Sequence, residues 1–407
     1  MHHHHEHEHG SDHIADHDAP GAPEFTYDIS RRQLLRRGLR GGLTLGAVAA
    51  AVPFALGSAE EAEAQVAPGG RGAPPPASFF GEHQAGIVTP PPTRLEFVVL
   101  DLVTTERADV AALFQRWTEA ARRLTTGGTT ITFGVGPSFF DRLGLQASRP
   151  TALTSLPAFS TDALLNTYTG GDLALQVCAT SAAAATAAAA ELEALAAGVA
   201  AVRSTQLGSR EATARRQTPR NLLGFKDGTV NPPFVDGLTA DAVIWVGSEG
   251  PTWLQGGSYL VMRRIRLDLA TWNATPVATQ EAAIGRDRET GAPLTGDEER
   301  DRPDLRARDA SGQLVIAADA HIRRARPNQN GGARILRRGY GFQDAEDDAG
   351  LLFLSYQRDP AQFTRIQASL AAADGLNRFA TTVGSGIWAV LPGVTSGGWL
   401  GSALLGS

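Results

Sequence analysis

The feature that most restricts the fold is a strand–helix order that occurs twice. Strand-like runs at Leu95–Leu102 and Asp172–Ala179 each lead into a helical stretch, and the order returns at Ser258–Leu269 and Leu351–Arg358. Each run is apolar, rich in β-formers and bounded by Gly, Pro, Asp or Thr. Thr129–Val135 reads as a further strand. Between them, Ala108–Leu124 spaces Val110, Leu113, Phe114, Trp117 and Ala121 as one helical face. Thr180–Val202 is dominated by Ala, Leu and Glu, which favour helix. Ala270–Ile284 reads as helix, and so does Pro360–Ala373, with proline in the first turn. The pattern predicts an α+β fold of two duplicated units, with two antiparallel sheets and peripheral helices.

Composition narrows the function. The 407 residues are 42% hydrophobic and 20% charged, an ordinary globular balance. Ten acids and five arginines lie in the first 64 residues, and without them the chain is near neutral. No basic surface remains for nucleic acid. Cys178 is the single cysteine, in the apolar run 173–179, so an intrachain disulfide and a cysteine-based metal site are both excluded. Eight of the ten histidines fall within residues 1–17, leaving His83 and His321 for any imidazole chemistry beyond the leader.

Residues 1–64 read as a His-rich segment followed by a targeting signal. Ser30-Arg31-Arg32-Gln33-Leu34-Leu35 is a twin-arginine pattern, a mildly apolar stretch follows from Gly41 to Gly57, and Ala62-Glu63-Ala64 offers a cleavage site. The expectation is export by the twin-arginine route to the periplasm or the exterior, with no stable membrane span once the signal is removed. Residues 65–79 read as a flexible lead-in. Two halves follow, 80–220 and 221–407. Glu281 to Asp309 reads as a long, charged surface loop.

Three segments carry candidate chemistry. Gly224-Phe225-Lys226-Asp227-Gly228, closed by Asn231-Pro232, is a tight turn presenting a carboxylate. Asp319-Ala320-His321-Ile322-Arg323 follows the apolar run 314–318, which sets His321 just beyond an expected strand end. Arg334-Ile335-Leu336-Arg337-Arg338 leads two apolar residues into paired arginines. Together they resemble the dye-decolourising haem peroxidases, in particular their exported deferrochelatase/peroxidase branch. Gly224–Gly228 matches the family's GxxDG motif, His321 its haem-ligating histidine and Arg337 its distal arginine. The stretches Gly81–Ile87, Gly256–Tyr259, Thr290–Leu294 and Gly350–Phe353 agree as well, so the likeness spans residues 80–395.

The resemblance implies two ferredoxin-like halves of the dimeric α+β barrel type, with the haem site in the second. It implies haem b, one per chain, with His321 as ligand to the iron. The partners it implies are hydrogen peroxide and a small-molecule reductant oxidised by one-electron steps; homo-oligomer formation stays open. Neutral imidazole can supply the single protein ligand that haem iron needs. Asp227 can carry the peroxide proton if it is ionised, and Arg337 can stabilise developing negative charge. Gly228 and Phe353 are expected at the haem, and Arg323 is weighed between a haem propionate and solvent. Asp319, Asp347 and Asp348 are candidate acceptors for the second imidazole nitrogen, the family pattern favouring Asp348. The alternative is haem iron release or haem carriage. Gly134-Val135-Gly136 lacks the third glycine of a nucleotide loop and is set aside.

Overall fold

A computed structural model describes residues 78–406 apart from Gly127, 215–216 and 232–236. The expected leader, residues 65–77 and Pro232 lie outside the described residues. Strand β1 (Arg94–Leu102), helix α1 (Arg107–Leu124), β2 (Thr130–Val135), β3 (Leu173–Ala179), α2 (Ala182–Ala196) and β4 (Ala200–Ser209) build the first half. Their strands lie side by side in the order β4-β1-β3-β2. In the second half come β5 (Ser258–Leu267), α3 (His321–Arg324), β6 (Leu336–Arg337), β7 (Tyr340–Gln343), β8 (Ala349–Gln357), α4 (Pro360–Ala373) and β9 (Ala380–Val390). Here the order is β9-β5-β8-β7, the same arrangement with β6 sharing the β7 edge of β8.

The fold is therefore α+β with two ferredoxin-like halves. Their sheets are joined rather than separate. Gly134 and Val135 pair with Val390 and Ala389, and Ser209 pairs with Gly341. With β5 also paired to β8, the strands close into a barrel-like ring.

Three local readings change. The helix expected to reach Val202 stops at Ala196, and Gly198, at φ +78°, turns the chain into β4. Ala270–Ile284 breaks at Pro276 into Leu269–Ala274 and Val277–Ile284. The run 314–318 forms no strand; Leu314 makes only an isolated bridge to Arg308. Strand β9 carries Gly384 and Gly386, which weaken a strand pattern in sequence. A Cβ at Gly386 would sit 2.0 Å from the Trp388 ring, so the glycine makes room for that buried indole.

Alternation along the strands creates two apolar layers. Phe97, Cys178, Met262, Tyr340, Tyr356 and Trp388 belong to one buried cluster contributed by both halves. Trp117, Phe133 and Leu192 belong to the layer under the helices, where the Trp117 indole donates to the Leu192 carbonyl at 2.8 Å. The Gly81–Ile87 stretch reinforces one seam. Gln84 donates to the carbonyls of Phe133 and Leu391 and accepts from the Phe133 amide. His83 stacks on Trp245 with ring centroids 3.7 Å apart, a bracing role that leaves His321 as the other described imidazole. Gly134 and Gly136 are likewise packing residues, since a Cβ at Gly136 would meet the Gly171 carbonyl at 2.2 Å.

Closure between β5 and β8 brings Gly350 so near that a Cβ there would lie 1.9 Å from the Ile265 carbonyl oxygen. Main chain cannot yield as a flexible side chain can. Gly350→Ala is expected to destabilise the protein by about 2 kcal/mol or more. Thermal unfolding followed by circular dichroism checks this, and an unchanged midpoint would contradict it.

Candidate haem-binding site

Asp227 sits in a loop pinned on both sides. The Asp227 amide donates to the Pro219 carbonyl at 2.8 Å, and Arg220 and Lys226 form an isolated bridge. Gly228 has φ +123°, a conformation that favours glycine, and this lets the chain turn away directly after the carboxylate. Arg337 occupies β6, whose register against β8 pairs it with Ser355. Its Nη1 donates to Asp227 Oδ1 at 2.9 Å. Asn231 adds a second tie: its amide nitrogen donates to the Arg337 carbonyl, and its amide oxygen accepts from the Arg337 amide. Side chain and main chain of Arg337 are thus fixed to one loop.

The paired arginines do different things because neighbours on a strand point to opposite faces. Arg337 faces Asp227. Arg338 is wholly buried and donates to the carbonyls of Ile87 and Thr89.

His321 opens the short helix α3. Its Nδ1 lies 2.6 Å from Asp374 Oδ2. Asp374 follows helix α4, and its other oxygen accepts from the Leu376 amide at 2.9 Å. Burial pushes the imidazole pKa down, yet the Asp374 carboxylate, by charge and hydrogen bond, more than offsets this and raises it. The Arg337 charge works against the imidazolium and the Asp227 charge for it.

The acceptor for His321 is none of the three acids marked in the sequence. Asp348 is engaged by Arg264 and Arg266, which hold its carboxyl below the usual range. Asp319 contributes its carbonyl, which accepts from the Gly375 amide at 2.8 Å. Asp374-Gly375 reads in sequence as a helix-ending turn, so its capping role concealed its contact with the imidazole. Arg323 directs Nε and Nη2 to the carbonyls of Ala317, Leu305 and Ile316, shaping the loop before α3 and leaving Nη1 for other partners.

The donor set suits haem. Asp374 occupies Nδ1, so Nε2 can face iron, the usual arrangement for a ligating histidine. Among the described residues no three His, Cys, Asp or Glu side chains gather as a metal cage. One imidazole is enough where a macrocycle brings the in-plane nitrogens. His321, Arg337 and Asp227 keep 30%, 27% and 25% of their side-chain surface open, so none is sealed into packing. Along the otherwise buried β8, Leu351 and Phe353 are half-buried and lie on one face. Phe353 packs near Phe363 of α4, with ring centroids 6.1 Å apart.

Known proteins resemble this chain over most of its described length. The family models for the Dyp-type peroxidase N-terminal and C-terminal domains match residues 84–210 and 218–395. A dye-decolorizing peroxidase of Thermobifida fusca is 39% identical over 79% of this chain and 83% of its own. A deferrochelatase of Yersinia pseudotuberculosis is 35% identical over 78% of this chain and 81% of its own. The solved structure of ferric DtpA from Streptomyces lividans superimposes with a TM-score of 0.78 at 39% identity, covering 81% of this chain and 97% of that one.

Removing the acceptor behind a metal-bound histidine typically lowers metal affinity about 10–100-fold. Asp374→Ala is expected to weaken haem retention by that order, read from a haem titration of the apoprotein. Wild-type affinity in the variant would contradict the orienting role of Asp374.

Proposed function

Because this chain belongs to the Dyp-type peroxidases, we propose that His321 would hold the iron of its haem and that Asp227 and Arg337 would act on the peroxide. The protein is a haem-dependent peroxidase, with hydrogen peroxide and a reductant as substrates. The observations that carry the residue assignment are the 2.9 Å Asp227–Arg337 pair and the 2.6 Å contact of His321 Nδ1 with Asp374.

When bound, haem would supply the redox chemistry that peroxide reduction needs. The chain's own groups arrange the rest. Asp374 holds the proton on His321 Nδ1, which keeps Nε2 available for iron. Asp227 Oδ1 is engaged by Arg337, leaving Oδ2 to take a proton from the inner peroxide oxygen and pass it to the outer one. Arg337 orients the Asp227 carboxylate and can stabilise negative charge on the departing oxygen. Gly228 permits the turn that presents Asp227, Phe353 forms part of the pocket wall, and Arg323 acts by shaping the loop that presents His321.

Export fits the twin-arginine pattern at residues 30–35, and among the described residues no helix is long and apolar enough to cross a membrane. Twin-arginine export of the folded, haem-loaded chain to the periplasm or exterior is part of the proposal. A second reading, haem iron release, draws on relatives that bear the name deferrochelatase. The Asp227–Arg337 pair favours the peroxidase, because iron extraction or carriage makes no evident use of a proton-shuttling acid beside a guanidinium. Metal-free porphyrin recovered from holoenzyme under reducing conditions would support the second reading.

His321→Ala is expected to lose or strongly displace the Soret band. Arg337→Ala and Asp227→Ala should retain haem yet slow the peroxide-induced absorbance change by about 10²–10⁴-fold, the usual contribution of positioned proton transfer. Stopped-flow spectra of the purified variants check both. Wild-type rates in both distal variants would remove the assigned mechanism.

A further inference from the structure

We infer that Glu299 is a positioning residue for Asp227, reaching the site from a loop that the sequence marks only as charged surface. The inference rests on the reading of Asp227 as the peroxide-facing acid. Glu299 lies in the charged segment that follows the helix ending at Ile284, yet its side chain is only 18% exposed. Its carboxylate accepts from Lys226 Nζ at 2.8 Å, from Thr229 Oγ1 at 3.0 Å and from Thr218 Oγ1. Lys226 and Thr229 flank Asp227 in the chain, one residue before and two after. Thr218 adjoins Pro219, whose carbonyl holds the Asp227 amide. One carboxylate therefore grips both arms of the turn from which Asp227 projects.

The grip is itself braced. Buried Arg286 donates through Nη1 to the carbonyls of Glu299 and Gly291. Gly291, at φ +77°, lies beneath the Lys226 stem, where a Cβ would approach Lys226 Cδ to 2.7 Å. The Thr290–Leu294 stretch thus makes room for the lysine that reaches Glu299. Burial raises the Glu299 pKa, but the donors from Lys226, Thr218 and Thr229 outweigh it and keep the carboxylate ionised. Glu299 itself is placed against the flanks of Asp227, so its effect on the reaction runs through that residue.

Placement of a catalytic group by even 1 Å can change a rate by about 10²-fold. A residue acting only through Asp227 must lose its effect when Asp227 is absent, whereas an independent structural defect adds to any other. The experiment is a double-mutant cycle of Glu299→Gln with Asp227→Ala in haem-loaded protein, read by stopped-flow absorbance after peroxide addition. Expected is a tenfold or greater slowing by Glu299→Gln alone, and under twofold further slowing in the Asp227→Ala background. Hydrogen–deuterium exchange of the holoenzyme should show faster amide exchange across residues 224–231, with haem affinity unchanged. Thr229→Val removes one of the three donors and should give a smaller slowing in the same direction, which keeps the test open if Glu299→Gln folds poorly. Equal fold-losses in both backgrounds, or no loss in either Glu299→Gln or Thr229→Val, would overturn the role of Glu299. A wild-type holoenzyme that does not respond to peroxide would instead overturn the peroxidase site itself.

Discussion

The hydrogen bond between Arg337 Nη1 and Asp227 Oδ1 is the contact around which the Asp227 loop and strand β6 are arranged. A carboxylate beside an open pocket could rotate, protonate or pair with a passing cation. A guanidinium fixed at 2.9 Å limits rotation and competing pairing, and it leaves one carboxylate oxygen unengaged by that contact. The pair is partly open, so its value lies in orientation rather than in stability. Its two members come from different segments, a loop after the first half and the two-residue strand β6. Asn231 secures the same pair through main chain, which makes the relation of loop to strand independent of either charge.

The barrel explains why so short a strand can be exact enough for chemistry. β6 has only Leu336 and Arg337, but β8 behind it is bonded on its other edge to β5 along eight residue pairs. Leu336 is buried in the apolar cluster, and Arg338 is wholly buried with two main-chain carbonyls as partners. Arg337 is thus held between two anchored neighbours and has little freedom to slide. The duplicated strand order gives each half the same frame, while the acids and bases of the site occupy the second half and the segment that leads into it.

Much of this architecture is legible in the sequence itself. The five strongest strand runs and helix Pro360–Ala373 stand close to where periodicity puts them, since alternation and propensity report local burial directly. Strand β4 is hidden because it breaks the apolar alternation, burying Gln206 while exposing Val202 and Leu207, and its start continues an alanine tract; β9 is hidden by glycines that clear space for Trp388. Asp227, His321 and Arg337 are visible as motif residues. Asp374, Asn231 and Glu299 are not, because each meets its partner across 53, 106 or 70–81 positions and looks locally like a turn or surface residue. Pairings of that range belong to tertiary structure, and neither spacing nor composition records them.

In the proposed site each acid is paired with a nitrogen base, and the pairings have opposite consequences. With His321 as the proposed ligand, Asp374 accepts from Nδ1 and leaves Nε2 for iron; the acid there fixes a tautomer. Asp227 meets a guanidinium that never gives up its proton, so the acid on that side is the member free to take one up and release it. Exchanging the bases would defeat both functions. An arginine in place of His321 has no lone pair for iron, and a histidine in place of Arg337 would compete with Asp227 for the proton. The division of roles follows from proton affinity alone, and the fold's contribution is to keep the two pairs on separate, independently anchored segments.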